Sequence, residues 1–229
     1  PGGKRLNGVY LRVKTASDIW GRGLVREYLT LFPDGRYYAG GYPEEGMHGF
    51  DWSYWCGRKD RSCGTYEVES RSGDRLDRVR TRSTSGETKE YQVAREQGQS
   101  AISAFDRLDR LDGLRLGSRY QADCHNGYTG SIEFTRDGRF TEREFLGCVG
   151  WLHIRGHHID SPEEYAARKR VLEQRPAGSG TYSIQANTLE LRYSDGRNIR
   201  LGMHATADPA RNADPAEICP REQCLKRVP

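Results

Sequence analysis

The stretch "LTLFPDGRYYAGG" (Leu29–Gly41) returns in altered form as "SIEFTRDGRFTER" (Ser131–Arg143). Each has alternating apolar residues, then Asp-Gly-Arg, then an aromatic. Asp-Gly between alternating apolar residues is a hairpin signal, because Gly accepts the positive φ that tight turns demand. Asp34 and Asp137 stand 103 positions apart, so the chain carries the same hairpin twice.

The flanking segments extend the repeat. In the first half "LNGVYLRV" precedes the hairpin, and a long aromatic insertion and "CGTYEVESRSGDRLDRVRT" follow it. In the second half "LRLGSRYQAD" precedes it, and another insertion and "SGTYSIQANTLELRYSDGRNIRL" follow. Within that last segment Tyr182, Ile184 and Ala186 alternate on one strand and Leu189, Leu191 and Tyr193 on the next. Asp195-Gly196 then turns into Ile199 and Leu201. "YQVAREQGQSAISAFDRL" adds two strands to the first half, turning at Gln97-Gly98. Each half therefore reads as a meander of short antiparallel strands, with the junction in "FDRLDRLDGL" (Phe105–Leu114). The expected fold is all-β, with a first barrel over 1–108 and a second over 109–229. The second carries a helical insertion and a cysteine-bracketed tail. A single sandwich built from both halves is the alternative, since either solution buries the apolar face.

Composition fits this reading. The 229 residues include 27 Gly, 10% aromatics and 30% charged residues, with a net charge of +4. Charges are interspersed, which points away from nucleic acid. The densest basic run, "DRLDRVRTR" (Asp74–Arg82), puts Arg78, Arg80 and Arg82 on one strand face, either a solvated face or a phosphate or polyanion contact. No apolar run approaches the ~20 residues of a transmembrane helix. The opening "PGGKRLNG" shows no signal peptide and reads as a mature or trimmed start.

Six cysteines make three local pairs: Cys56 with Cys63, Cys124 with Cys148, and Cys219 with Cys224. A hairpin centred on Asp137-Gly138 brings Cys148 close to Cys124. Zinc sites favour Cys-x₂-Cys pairs, and the spacings here are x₆ and x₄. Disulfides, and hence a periplasmic or extracellular setting, are expected.

"Leu-Asn-Gly-Val-Tyr" (Leu6–Tyr10) resembles the Gly-x-Trp opening of lipocalin-like (calycin) barrels, with Tyr10 in place of Trp. The Asp-Gly hairpins followed by Gly64-Thr65-Tyr66 and Gly180-Thr181-Tyr182 are similar to small bacterial lipocalin-like domains. The resemblance implies a ligand cavity at a barrel mouth and carries over no catalytic residue.

One surface helix is expected at about 162–174. Ser161 is its N-cap, Pro162 opens it, and Glu164 completes a capping box. Two regions could carry chemistry. "YYAGGYPEEGMHGFDWSYWC" (Tyr37–Cys56) holds seven aromatics interleaved with carboxylates, a pattern that cradles a cation or stacks on sugar rings. Its candidate ligand-binding residues are Tyr38, Tyr42, His48, Asp51, Trp52 and Trp55; otherwise these rings close one barrel end. "GWLHIRGHHID" (Gly150–Asp160) offers His153, His157 and His158 as metal candidates, a weak set because neither helix nor strand spacing aligns them. No nucleophile elbow, metalloprotease or nucleotide-binding motif occurs, so no catalytic residue and no cofactor are assigned. The expectation is an exported protein binding a small hydrophobic, cationic or sugar ligand. The alternatives are a barrel isomerase, cyclase or hydrolase with a His/carboxylate site, and a protein-interaction or inhibitor module.

Overall fold

The computed structural model describes every residue except 1–5, 19–20, 44–45, 48–49, 58–61, 70–76, 97–98, 104, 109–110, 125–128, 150–161, 206–213 and 222. The chain is all-β and divides into two compact units, Pro1–Pro43 with Asp51–Leu108, and Glu44–Phe50 with Asp109–Pro229.

The first unit contains β1 (Gly8–Asp18), β2 (Gly21–Leu31), β3 (Arg36–Tyr38), α1 (Trp52–Cys56), β4 (Cys63–Glu69), β5 (Asp77–Ser83), β6 (Thr88–Glu96), β7 (Gln99–Ile102) and β8 (Asp106–Arg107). Its antiparallel sheet runs β7-β6-β5-β4-β3-β2-β1-β8. Two full barrels were expected, but this sheet is a half-barrel. Its edge strands are four and two residues long, and a single bridge, Ile102↔Phe105, links the segments they belong to. Tyr10, Leu29, Leu31, Tyr37, Tyr66, Val79, Val93, Ile102 and Phe105 form its core. Strands β1 and β2 outrun the sheet. β8 pairs only with Tyr10 and Leu11, and β3 only with Thr30 and Leu31, so the remaining length is a two-stranded ribbon. Glu27 fastens this ribbon by pairing with Arg12 and Lys14 across it.

The second unit contains β9 (Arg119–Asp123), β10 (Thr129–Phe134), β11 (Arg139–Arg143), α2 (Phe145–Cys148), α3 (Pro162–Gln174), β12 (Ala177–Gln185), β13 (Thr188–Tyr193), β14 (Asn198–Ala205), β15 (Glu217–Pro220) and β16 (Leu225–Val228). Here the sheet closes into an eight-stranded barrel, with β16 pairing back onto β9 through Lys226↔Gln121, Arg227↔Tyr120 and Val228↔Arg119. α3 spans the range expected of the surface helix; its proposed cap Ser161 lies outside the described residues. Ala186 is not a strand residue: with Asn187 it forms the β12–β13 turn, both at positive φ, as a tight two-residue hairpin requires.

The Asp-Gly-Arg motif is one turn used three times. Gly35, Gly138 and Gly196 have φ of 90, 90 and 91°. Each glycine N–H donates to the carbonyl three residues back (Phe32, Thr135, Tyr193), and that residue's N–H donates to the arginine carbonyl. This is a type I turn ending in a left-handed residue, the three-residue hairpin loop. Asp34 and Asp195 accept the backbone N–H of Arg36 (3.0 Å) and Arg197 (3.1 Å), the side-chain turn that favours Asp at this position.

Gly-Thr-Tyr has an equally physical basis. A Cβ on Gly64 would lie 2.0 Å from the Arg82 carbonyl oxygen, and one on Gly180 2.0 Å from that of Arg192, so only Gly lets the strands approach. The Tyr66 N–H donates to Gly35 O and the Tyr182 N–H to Gly138 O, both at 2.8 Å. The Tyr66 hydroxyl reaches the carbonyls of Phe32 (2.9 Å) and Leu6. That of Tyr182 accepts the Leu116 N–H (2.8 Å) and lies 3.3 Å from Thr135 O. In each unit this tyrosine ties the lead-in segment to the residue that begins the Asp-Gly turn.

Candidate functional site

Tyr37 points into the core of the first unit, so its neighbour Tyr38 must point outward. Tyr38 is nevertheless buried, because Trp55 packs on it at 5.7 Å between ring centroids. Tyr28, on the outward parity of β2, meets Tyr42 edge-on at 5.2 Å. Tyr38, Tyr42 and Trp55 of the aromatic insertion therefore lie on the outer face of the first unit's sheet, while Glu44–Phe50 group with the second unit. Trp52 contacts Phe32 edge-on at 4.8 Å, and the Arg36 guanidinium sits 3.9 Å above its ring. Asp51 caps α1: its Oδ1 accepts the Ser53 N–H at 2.9 Å and the Ser53 hydroxyl at 2.6 Å. The Cys56–Cys63 disulfide pins the end of α1 to β4. Of the six candidate ligand residues, Tyr38 and Tyr42 are buried supports, Asp51 is exposed, and Trp52 and Trp55 are half-buried. His48 lies outside the described residues, as do His153, His157 and His158.

Two arginines of the basic run are paired with carboxylates on their own sheet. Arg80 pairs with Glu69 (2.9 Å) and Glu90 (2.8 Å), and Arg78 with Glu90 (3.5 Å), while Val79, Thr81 and Ser83 face inward. Arginines held by carboxylates on both neighbouring strands make a solvated face rather than a polyanion site.

In the second unit the barrel interior is filled by one core. Tyr120, Ile132, Phe134, Phe140, Tyr182 and Leu191 lie within it, with Phe134 against Tyr182 at 4.7 Å and Phe140 against Tyr193 at 5.0 Å. An eight-stranded barrel is narrow enough for side chains to fill it.

A carboxylate sits among these core side chains. Glu142 shares the inward parity of Phe140 and is 6% exposed. Burial pushes its carboxyl up to about 7, although the Phe145 N–H (3.1 Å) and the Tyr193 hydroxyl (3.2 Å) both donate to it. Burial likewise raises the Tyr193 hydroxyl. Arg197 lies over the Tyr193 ring at 4.0 Å, and its hydrogen bond pulls Asp195 down to about 2. A carboxyl titrating near neutrality has the pKa of an acid–base catalyst. Glu142, however, is enclosed, and both its oxygens serve the packing of α2 and β13. Its signal was present in "RFTERE": an acid at the spacing that carries inward residues.

All three local cysteine pairs are disulfides. Cys148 reaches Cys124 from the short helix α2 rather than from a strand opposite it, because the β10–β11 pairing ends at Ser131↔Arg143. Among the described residues His204, Cys219 and Cys224 come together as potential metal donors, with their ligand atoms within 4.8 Å of one another. No described helix is long and apolar enough to cross a membrane.

No protein-family model matches this chain, and no curated protein or solved structure matches it.

Proposed function

We propose that this chain is an exported binding protein built from two calycin-type meanders, and that it holds a sugar-ring ligand on the outer aromatic surface of its first unit. Three disulfides support an oxidising compartment. The observation that carries the binding surface is the fixing of two half-exposed indoles, Trp52 and Trp55, by a capped helix turn, a disulfide and underlying tyrosines. Groups immobilised before binding lose little entropy on contact. Indole faces beside Asp51 and Arg36 offer stacking together with hydroxyl partners, the combination a sugar ring uses. The filled barrel of the second unit argues against a lumenal ligand there.

The test is a glycan array probed with wild type, Trp52→Ala and Trp55→Ala, beside native mass spectrometry of protein from its natural source. Loss of sugar binding in both variants, with unchanged circular dichroism, supports the reading. Sugar binding indifferent to both indoles refutes it. A small molecule retained one per chain in all three proteins would place the ligand inside a unit instead.

A further inference from the structure

His204 and Cys219 are direct register partners across β14 and β15, so their side chains leave the same face of the sheet. The core residues Met203 and Ile218 precede them, which puts this pair on the face opposite the barrel core. Both are nevertheless buried. Cys224 joins them across the β15–β16 turn, where Arg221 takes a left-handed conformation (φ 58°) and the Gln223 N–H donates to Pro220 O (3.2 Å). The turn thus brings two sulfurs to one imidazole, with all donor atoms within 4.8 Å of one another.

We infer that this corner is a redox-gated site for a thiophilic metal ion, closed while the Cys219–Cys224 disulfide is intact and opened by its reduction. A thiol or dithiol reductant delivers two electrons and two protons, breaks the S–S bond and leaves two thiols. The entering ion displaces both thiol protons, and the imidazole of His204 donates a lone pair without redox change. The result is a two-thiolate, one-imidazole donor set, which suits Zn²⁺ or Cu⁺ and disfavours hard oxygen-seeking cations. Bond lengths of about 2.3 Å to sulfur and about 2.0 Å to nitrogen place donors around one ion roughly 3.5–3.8 Å apart. His204 already stands beside both sulfurs, and reduction frees the sulfurs to separate to that spacing by adjustment of the β15–β16 turn. Three protein ligands leave a fourth position for water or an exogenous group.

The experiment uses the full chain and Zn²⁺ as the probe, titrated against a chromophoric chelator, with Co²⁺ giving the thiolate charge-transfer band. Oxidised wild type, reduced wild type, reduced His204→Gln and reduced Cys219→Ser/Cys224→Ser are compared, with circular dichroism read on each. The expected result is one Zn²⁺ bound by reduced wild type beyond the count for the double variant, and none of it in the oxidised protein. His204→Gln weakens that ion by at least about tenfold, since even outer partners of a ligand are worth about 10–100-fold. Equal counts in reduced wild type and double variant, affinity indifferent to His204, or unfolding of the barrel on reduction would each overturn the proposal.

Discussion

Replacing Glu142 with Gln tests whether the barrel carries a penalty for a buried carboxylate. Its carboxyl titrates near 4.5 when unfolded and at about 7 when folded. Below pH 4.5 both states are protonated, and the favourable contribution of the neutral acid is complete. Between 4.5 and 7 the folded chain keeps a proton that the unfolded chain has lost, so rising pH favours unfolding. Above pH 7 the loss is complete. A shift of roughly 2.5 units at about 1.4 kcal/mol each amounts to about 3.5 kcal/mol. Gln keeps the shape, accepts from Phe145 N–H and donates to the Tyr193 oxygen, but does not ionise. Urea midpoints of wild type and Glu142→Gln, measured from pH 4.5 to 8, should therefore diverge in favour of the variant up to about pH 7 and then level off. At the upper end the relative change corresponds to roughly 10 °C in Tm. A ¹³C carboxyl titration of the folded wild type reads the same group directly. A pH-independent difference between the proteins, or a Glu142 carboxyl titrating near 4.5, would refute the reasoning.

Other expected outcomes follow from single contacts. Gly180→Ala pushes a methyl group into the Arg192 carbonyl, so the second unit should lose about 3 kcal/mol or more by denaturant unfolding; Gly64→Ala should do the same to the first. Tyr182→Phe removes a buried hydroxyl that ties Leu116 to Thr135, and should lower stability by about 1–3 kcal/mol in the same assay, with little change in far-UV circular dichroism. Asp51→Ala deletes the α1 cap, with a stability loss of about 1 kcal/mol and weaker sugar binding in calorimetry, because the indoles are no longer held.

The hairpins were legible in the sequence because their instructions are local. Asp supplies a side-chain acceptor, Gly the positive φ, and the alternation around them the inward face. The disulfide partners were legible for the same reason, being the nearest cysteines, although the route of the Cys124–Cys148 pair through α2 was not. Closure was hidden, because it depends on whether a meander's last strand finds ladder partners on both of its sides. β16 pairs with both β15 and β9, whereas β8 pairs with β1 and meets the β7 segment through the Ile102↔Phe105 bridge. The placement of the aromatic insertion was hidden too. Tyr37 and Tyr38 are both aromatic, so the period-two pattern cannot say which one faces the core. Glu142 kept the inward spacing but was one of 32 acidic residues, and its enclosure beside Tyr193 and the Phe145 N–H, with the raised pKa that follows, is what the sequence could not show.

The pairing of β16 with β9 also bears on how the second unit is made. Gln121 must find Lys226, a partner separated by most of the unit's length, so this contact forms after the local hairpins have zipped. Synthesis from the N-terminus delivers β9 well before β16. Until Leu225–Val228 emerges, β9 presents an unpaired edge, the geometry that invites strand exchange between chains. A nascent chain stalled just short of β16 would be the form most prone to joining its neighbours. Prompt arrival of β16 is then as much a safeguard against strand exchange as any residue on the barrel's surface.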